Sequence, residues 1–309
     1  MSVTTQHPQI VAQAASATDA APASPSRRPV RTARTARPAR RVWGSVGWHA
    51  VLVVIAAMQL FPLFWAIVTS FKPMGEIYSP TVISAHPTFE NYAYALTRFP
   101  LGPQLFNTFV MAGGIAIGQL IVSVLAAFAL VYFAPRWRTL IYALFAATLA
   151  IPTQTLIIPQ FLITAELGWL NSPQGLILPQ IAGSALALLL LHRHISSLPP
   201  SQLDAARMDG ARSWDTFIRV VLPQLRPALG AVFILGFISG WNEYLWPLLV
   251  AREPTNTVIQ IGLQQFMTAE GNNFGGLLAA SVLSTLPILL VYAVASRHIT
   301  DAFMKANEA

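Results

Sequence analysis

The chain has 309 residues, of which 54% are hydrophobic and 10% are charged, and its formal net charge is +7. A soluble globular domain carries roughly 25% charged residues, so this composition excludes a water-covered surface and indicates an integral membrane protein. No cysteine is present, which excludes disulfides, thiolate metal sites and cysteine catalysis.

The positive charge is concentrated near the N-terminus. Seven arginines lie between Arg27 and Arg41, in a segment built mainly from Ala, Pro, Ser and Thr. This composition cannot bury enough apolar area to offset the entropy lost on folding. We therefore predict a disordered basic cytoplasmic tail over residues 1–41 and a membrane domain over residues 42–309. The tail is expected to contact anionic lipid, and no nucleic-acid partner is predicted.

Six apolar runs follow the tail, each long enough to be a membrane helix, which needs about 20 residues. They cover approximately residues 48–71, 106–133, 140–165, 175–191, 228–250 and 275–295. Several contain proline, which membrane helices tolerate where neighbouring groups satisfy the freed carbonyls. The sequence thus predicts an all-α membrane protein with six transmembrane helices.

The lysines and arginines orient these spans. Sixteen of the 19 fall in the tail, the loop after the second span, the loop over residues 192–227 and the C-terminal end. Only Lys72, Arg98 and Arg252 fall in the connecting segments on the opposite side of the membrane. Basic residues are enriched on the cytoplasmic side, so both termini and the 192–227 loop are predicted to be cytoplasmic.

The chain lacks its own source of energy. Its two lysines, Lys72 and Lys305, do not follow a glycine, so the GxxxxGK[ST] phosphate loop is absent. Only Glu243 places a charge well inside a predicted span, whereas ion-coupled carriers usually need several such groups. We therefore predict a non-enzymatic subunit that is driven by a separate motor.

The loop contains SQLDAARMDGARSWDTFIRVVLPQLRP, residues 201–227. Ser201 is predicted to cap a helix over residues 202–209, with Asp204 completing a capping box. Gly210 is predicted to end this helix in a left-handed conformation, and Ser213 to cap a second helix that ends at about Leu222. The side formed by Ala205 and Ala206 is slim enough for close approach of another protein. A docking element and a connecting loop that lies on the membrane are both compatible with this pattern.

The same loop resembles a known signature. Asp204-Ala205-Ala206, Gly210, Val220 and Leu222-Pro223 match the EAA-x3-G-x9-I-x-LP motif of ABC-importer permeases, with Asp for Glu and Val for Ile. In that family the loop forms a coupling helix that inserts into a groove of the ATPase subunit. The resemblance implies the following coupling residues: Asp204, Ala205, Ala206, Arg207, Asp209, Gly210, Leu222 and Pro223.

Other segments, within residues 45–305, resemble the carbohydrate-uptake (maltose-type) permeases. They include FNTFVMAG, AIPTQTLIIPQF, LGWLNSPQGLILP and GWNEYLWPLLV, the last being similar to permeases of sn-glycerol-3-phosphate systems. The resemblance implies a type I ABC importer fold in the bacterial inner membrane. It also implies a second homologous permease, an extracytoplasmic binding protein and two ATP-binding subunits that hold ATP and Mg²⁺, with no cofactor in this chain. The implied cargo is sn-glycerol-3-phosphate, a glycerophosphodiester or a sugar, including an oligosaccharide.

The polar residues of the fifth span are candidates for the translocation path. These are Trp241, Asn242, Glu243 and Tyr244. A charge in hydrocarbon usually faces protein or water, so a hydrogen bond to a neighbouring helix is the alternative role for Asn242 and Glu243. Trp241 has packing as its alternative. No metal site is predicted. An ion-coupled secondary carrier and a purely structural anchor are the competing functional classes.

Overall fold

The computed structural model describes residues 40–133, 136–268 and 271–307. The predicted tail therefore lies almost entirely outside the described residues, and the chain is already helical at Arg40. Helix α1, Arg40–Ser70, runs through Ile55, where the chain divides into two units. Of the first unit only helical residues are described. The second unit begins at Ala56 and contains the 192–227 loop.

The second unit is a helical assembly. After α1, its helices are α2 (Glu90–Arg98), α3 (Leu101–Tyr132), α4 (Arg138–Thr148), α5 (Ile157–Glu166), α6 (Pro173–Ile181), α7 (Ala185–Ser196) and α8 (Pro200–Met208). They continue with α9 (Ser213–Asp215), a π-helical segment (Thr216–Val221), α10 (Leu222–Gln224), α11 (Arg226–Trp241), α12 (Leu245–Val250), α13 (Ile259–Gly262) and α14 (Phe274–Asn307). Short 3₁₀ turns cover Met74–Glu76, Thr153–Leu156 and Leu263–Phe266. A minimal antiparallel hairpin pairs Met267–Thr268 with Gly271–Asn272.

Three helices within the described residues are long and apolar enough to cross a membrane: Gly47–Ser70, Leu101–Tyr132 and Phe274–Val294. Three bent helix pairs also pass this test when each pair is taken together. The first joins Arg138–Thr148 to Thr153–Glu166 at 86°, the second joins Pro173–Ile181 to Ala185–Ser196 at 50°, and the third joins Ser213–Gln224 to Arg226–Trp241 at 76°.

The runs predicted as spans over residues 140–165, 175–191 and 228–250 are each broken or bent in the structure. The first is interrupted before Pro152, because proline restricts the preceding residue and cannot donate a backbone hydrogen bond. The second bends between α6 and α7 around Gly183. The third ends at Trp241, and the chain re-forms a helix only at Leu245.

Helix α3 is the centre of the packing, and small residues bring its neighbours close. A Cβ atom on Gly240 of α11 would lie 3.0 Å from the Cα of Ala112, and one on Gly236 would lie 3.3 Å from the Cα of Ala116. On α3 itself, Gly114 receives the side chain of Ile177 from α6. Small residues four apart allow membrane helices to pack backbone to backbone. These glycines and alanines therefore allow α3 to pack closely against both α6 and α11.

Three buried apolar clusters complete this packing. The one nearest the 192–227 loop joins α3, α7, the π-helical segment and α11, with Phe128, Leu191, Phe217, Val221 and Leu225 at its centre. The second contains Phe237, Trp241 and Phe266, and the third contains Met111, Trp246 and Val250. The loop of interest is thus anchored on a packed core that belongs to several spans.

Candidate functional site

The first helix of the candidate coupling loop is α8, which begins earlier than predicted. It starts at Pro200, with Pro199 in the capping position and no side-chain cap. Proline suits the first helical turn because its missing N–H would have no partner there. Ser201 consequently lies inside the helix, and the predicted capping box with Asp204 is wrong. The Asp204 carboxylate instead accepts a hydrogen bond from Arg207, with a distance of 3.2 Å between Oδ1 and Nη1.

The end of α8 has the predicted left-handed joint. Gly210 has a φ angle of +75°. Its N–H donates to the carbonyl of Arg207 (3.1 Å), and the N–H of Ala211 donates to the carbonyl of Ala206 (3.0 Å). This pair of bonds is the Schellman arrangement, in which a glycine satisfies the last carbonyls of a helix. The geometry predicted for Gly210 is confirmed, and its role in coupling stays a prediction.

The second helix of the loop is longer than predicted and contains an irregular turn. It begins at Ser213, which is its first residue rather than its side-chain cap, and continues past Pro223 to Gln224. The Leu222 N–H bonds to the carbonyl of Phe217, five residues back, which defines the π-helical segment. The Gln224 amide donates to the carbonyl of Val220 (2.8 Å) and to the Gln202 side chain (2.9 Å), which ties this helix to α8.

The predicted coupling residues divide into outward-facing and inward-facing groups. The exposed members are Asp204, Ala205, Arg207, Asp209, Gly210 and Pro223. Leu222 is half-buried, and Ala206 is only 8% exposed because α8 packs against the second helix. The slim outer face predicted for both alanines is therefore wrong for Ala206.

Sequence reasoning missed two large apolar side chains on the surface of this loop. Met208 is 88% exposed and Trp214 is 60% exposed. Both stand next to the Gly210 joint, one on each helix. The sequence did contain an indication of them, because a methionine and a tryptophan interrupt a stretch that otherwise consists mainly of charged and small residues. They give the outer surface of the joint an apolar component that suits contact with another protein.

The Arg207 side chain connects the coupling loop to the end of the membrane helix α3. Its guanidinium lies 4.7 Å from the centre of the Tyr132 ring, and its Nε lies 3.5 Å from the Tyr132 hydroxyl. The hydrogen bond to Tyr132 raises the pKa of Arg207, and the charge of Asp204 acts in the same direction.

The candidate path residues lie at the break between α11 and α12. Asn242 is exposed, and its amide donates to the Ile238 carbonyl (2.8 Å). The Tyr244 hydroxyl donates to the Gln264 side chain (2.9 Å). Trp241 is 1% exposed and packs against Phe237 at 5.6 Å between ring centres. Of the four residues, Trp241 is thus inaccessible in this conformation, and the path assignment stays a prediction for all four.

Glu243 has a local structural partner. Its carboxylate accepts a hydrogen bond from the backbone N–H of Trp246, at 3.2 Å, in the first turn of α12. An acceptor at this position satisfies a helix N–H that has no partner within the helix. The side chain is half-buried. This bond is local, as is the bond from Asn242 to Ile238, so neither is the hydrogen bond to a neighbouring span that was the predicted alternative role.

Two substitutions separate capping by Glu243 from a role of its charge. Glu243→Gln retains an oxygen acceptor for Trp246, so we expect wild-type thermal stability in detergent. Glu243→Ala leaves that N–H unpaired and should lower stability by about 1 kcal/mol. Thermal unfolding of the purified variants is the measurement. Equal loss of stability in both variants would contradict capping and indicate that the negative charge itself is required.

A cavity of about 720 Å³ is lined by residues of the first and second bent helix pairs, α4–α5 and α6–α7. Thr148, Gln160, Thr164, Trp169 and Gln180 contribute its polar or amphipathic lining, and apolar side chains contribute most of the rest. None of the four candidate path residues is among the described residues that line it, and neither is any lysine or arginine. Among the described residues, no group of His, Asp and Glu is arranged to hold a metal ion.

Long apolar helices and broken helix pairs are typical of an integral membrane protein. Residues 119–304 match the family of binding-protein-dependent transport system inner membrane components. The chain belongs to this family, and it is an inner-membrane permease component.

Individual relatives cover most of the chain. The diacetylchitobiose uptake system permease protein NgcG of Streptomyces coelicolor is 33% identical over 258 residues, which cover 82% of this chain and 85% of that protein. The sn-glycerol-3-phosphate transport system permease protein UgpE of Yersinia enterocolitica is 33% identical, covering 81% and 92%. A crystal structure of a bacterial ABC transporter involved in alginate import contains a chain that matches with a TM-score of 0.72 and 25% identity, covering 85% and 98%.

Proposed function

We propose that this chain forms half of the translocation pathway of an ATP-binding-cassette importer. A second, homologous permease would form the other half, two separate subunits would bind ATP and Mg²⁺, and an extracytoplasmic protein would deliver the cargo. The observation that carries the proposal is the jointed loop, in which α8, the Gly210 joint and Pro223 follow the family's coupling motif. The exposed Met208 and Trp214 support contact of this loop with another protein.

The proposal includes a topology of six spans with both termini in the cytoplasm. Three continuous helices and three bent pairs supply six candidate spans. The distribution of lysine and arginine supports their orientation. This orientation would place the coupling loop on the side where ATP is available.

The proposed cargo is a hydroxyl-rich compound: sn-glycerol-3-phosphate, a glycerophosphodiester or a sugar. The relatives named for diacetylchitobiose and sn-glycerol-3-phosphate uptake support this class. No lysine or arginine is among the described residues that line the 720 Å³ cavity, so a phosphate would find no cationic side chain there.

Uptake by reconstituted complexes tests this function. The chain would be purified with the ATPase, permease and binding protein encoded beside it and placed in proteoliposomes that contain ATP. Radiolabelled N,N′-diacetylchitobiose and sn-glycerol-3-phosphate are the probes, and we expect uptake of at least one. Uptake should require hydrolysable ATP and should survive an ionophore that dissipates ion gradients. Uptake that follows the ion gradient and ignores ATP would identify an ion-coupled carrier instead.

A further inference from the structure

Arg207 makes the contact from which this inference starts. The residue belongs to the outward-facing coupling motif, yet its side chain turns back onto Tyr132, the last residue of α3, 75 positions earlier in the chain. The guanidinium lies 4.7 Å from the ring centre, which is within the range of a cation–π interaction. Asp204 holds the other side of the guanidinium at 3.2 Å. One side chain therefore links the coupling motif directly to a membrane helix.

Tyr132 is supported from within the core. Its ring stacks on Phe128 of α3, with 5.1 Å between centres and 26° between planes. Phe128 in turn contacts Phe217 of the π-helical segment at 5.0 Å. The end of α3 thus touches both helices of the coupling loop, through Arg207 on α8 and through Phe217 on the second helix. The Tyr132 hydroxyl also interacts with the side chains of Ser213 and Thr216 on the second helix. The Arg207 contact is partly exposed, so it can be altered from the Arg207 side without emptying the core.

Helix α3 is suited to transmit a displacement of the loop. It is continuous over 32 residues, which corresponds to roughly 48 Å. Its small residues hold α6 and α11 at close distance, as the contacts of Gly114 and Gly240 show. Packed helices move as units because interiors are dense and resist deformation. A pull at Tyr132 would therefore reach the two helices that flank α3.

We infer that Tyr132 and Arg207 form a latch that makes α3 follow the coupling helix α8. Both are positioning residues that transmit movement and contact no cargo. The inference rests on the proposed function, because it assigns the route by which ATPase closure would reach the spans. It adds a residue of α3, outside the coupling motif, to the coupling machinery.

The test measures cargo taken up per ATP hydrolysed, in the complete reconstituted complex and with the probe that the wild type accepts. Tyr132→Leu and Arg207→Gln should each lower this ratio about two- to fivefold, the range that a partly exposed cation–π contact supplies. ATP hydrolysis itself should continue. Tyr132→Phe keeps the aromatic ring and Arg207→Lys keeps the positive charge. Both variants should therefore keep a ratio of uptake to hydrolysis close to that of the wild type. A merely structural defect would lower uptake and hydrolysis together and leave the ratio unchanged.

A double variant shows whether Tyr132 and Arg207 act through their mutual contact or independently of each other. If Tyr132 and Arg207 act on each other, Tyr132→Leu combined with Arg207→Gln should be no worse than either change alone. Tyr292→Leu, at a half-exposed tyrosine of α14, is the matched control and should keep the wild-type ratio. Additive losses in the double variant, or unchanged ratios in both single variants, would overturn the latch. Failure of the wild type to import any probe would instead count against the proposed function.

Discussion

Replacing Gly210 with valine should abolish ATP-driven uptake or prevent stable assembly with the ATPase. Gly210 has a φ angle of +75°, which a β-branched residue adopts only at high cost, of order 1–2 kcal/mol or more. Apart from the flanking residues, no described atom lies within 4 Å of a Cβ built at this position, so the expected penalty comes from the local backbone conformation and not from a tertiary contact of the Cβ. The penalty would be relieved by opening the Schellman turn, which would change the angle between α8 and the second helix.

Asparagine is the matched control for this position. It tolerates the left-handed conformation better than other non-glycine residues, and the open surroundings of Gly210 have room for its side chain. Uptake and co-purification of the ATPase should therefore be largely retained in Gly210→Asn. The account of the joint would be contradicted if valine supported full ATP-coupled uptake, or if asparagine were as damaging as valine.

Replacing Gly240 with leucine should have the largest effect on folding. A Cβ at this position would lie 3.0 Å from the Cα of Ala112, so a larger side chain must push α11 away from α3. Overpacking a dense interior typically costs about 1–3 kcal/mol, and here the obstacle is backbone that cannot change rotamer. The separation would also disturb the nearby Phe237 and Trp241. We expect a severe loss of monodisperse protein in detergent and a lowered thermal midpoint.

Gly113→Leu is the control for this change. Gly113 lies on α3, beside Ala112. Apart from its chain neighbours and the adjacent backbone of α3, no atom of the described residues lies within 4 Å of a Cβ at that position. The isolated chain should therefore accept leucine there with little loss of stability. Comparable destabilisation by Gly113→Leu and Gly240→Leu would show that the close approach of α11 to α3 is not the cause.

Local signals in the sequence were sufficient for part of the site. Gly210 was predicted as a left-handed joint because charged helix formers precede it and a new helix start follows. The coupling motif placed Leu222 and Pro223 near the end of the second helix, where they are found. These features depend on neighbouring residues and on backbone conformation, and such information is contained in a short stretch of sequence.

Features that depend on tertiary contacts were not predictable. Ala206 is buried by a helix that begins seven residues later. The error at Ser201 was local instead: Pro200 starts the helix two residues before the predicted position 202, which places Ser201 inside it. Hydropathy over residues 140–165 measured apolar content and carried no information on the 86° bend. The contact of Arg207 with Tyr132 joins positions 75 residues apart, and nothing in either local sequence indicated it.

Site-directed cross-linking of the complete complex in membranes tests the central claim, attachment of the ATPase to the α8 joint, most directly. The chain contains no cysteine, so a single one can be introduced at Met208, which is 88% exposed, or at Ile83, which is 70% exposed and lies in the segment predicted to face outward. We predict that Met208→Cys forms a cross-link to the ATPase subunit and that Ile83→Cys does not. A cross-link from Ile83→Cys, with none from Met208→Cys, would contradict the account.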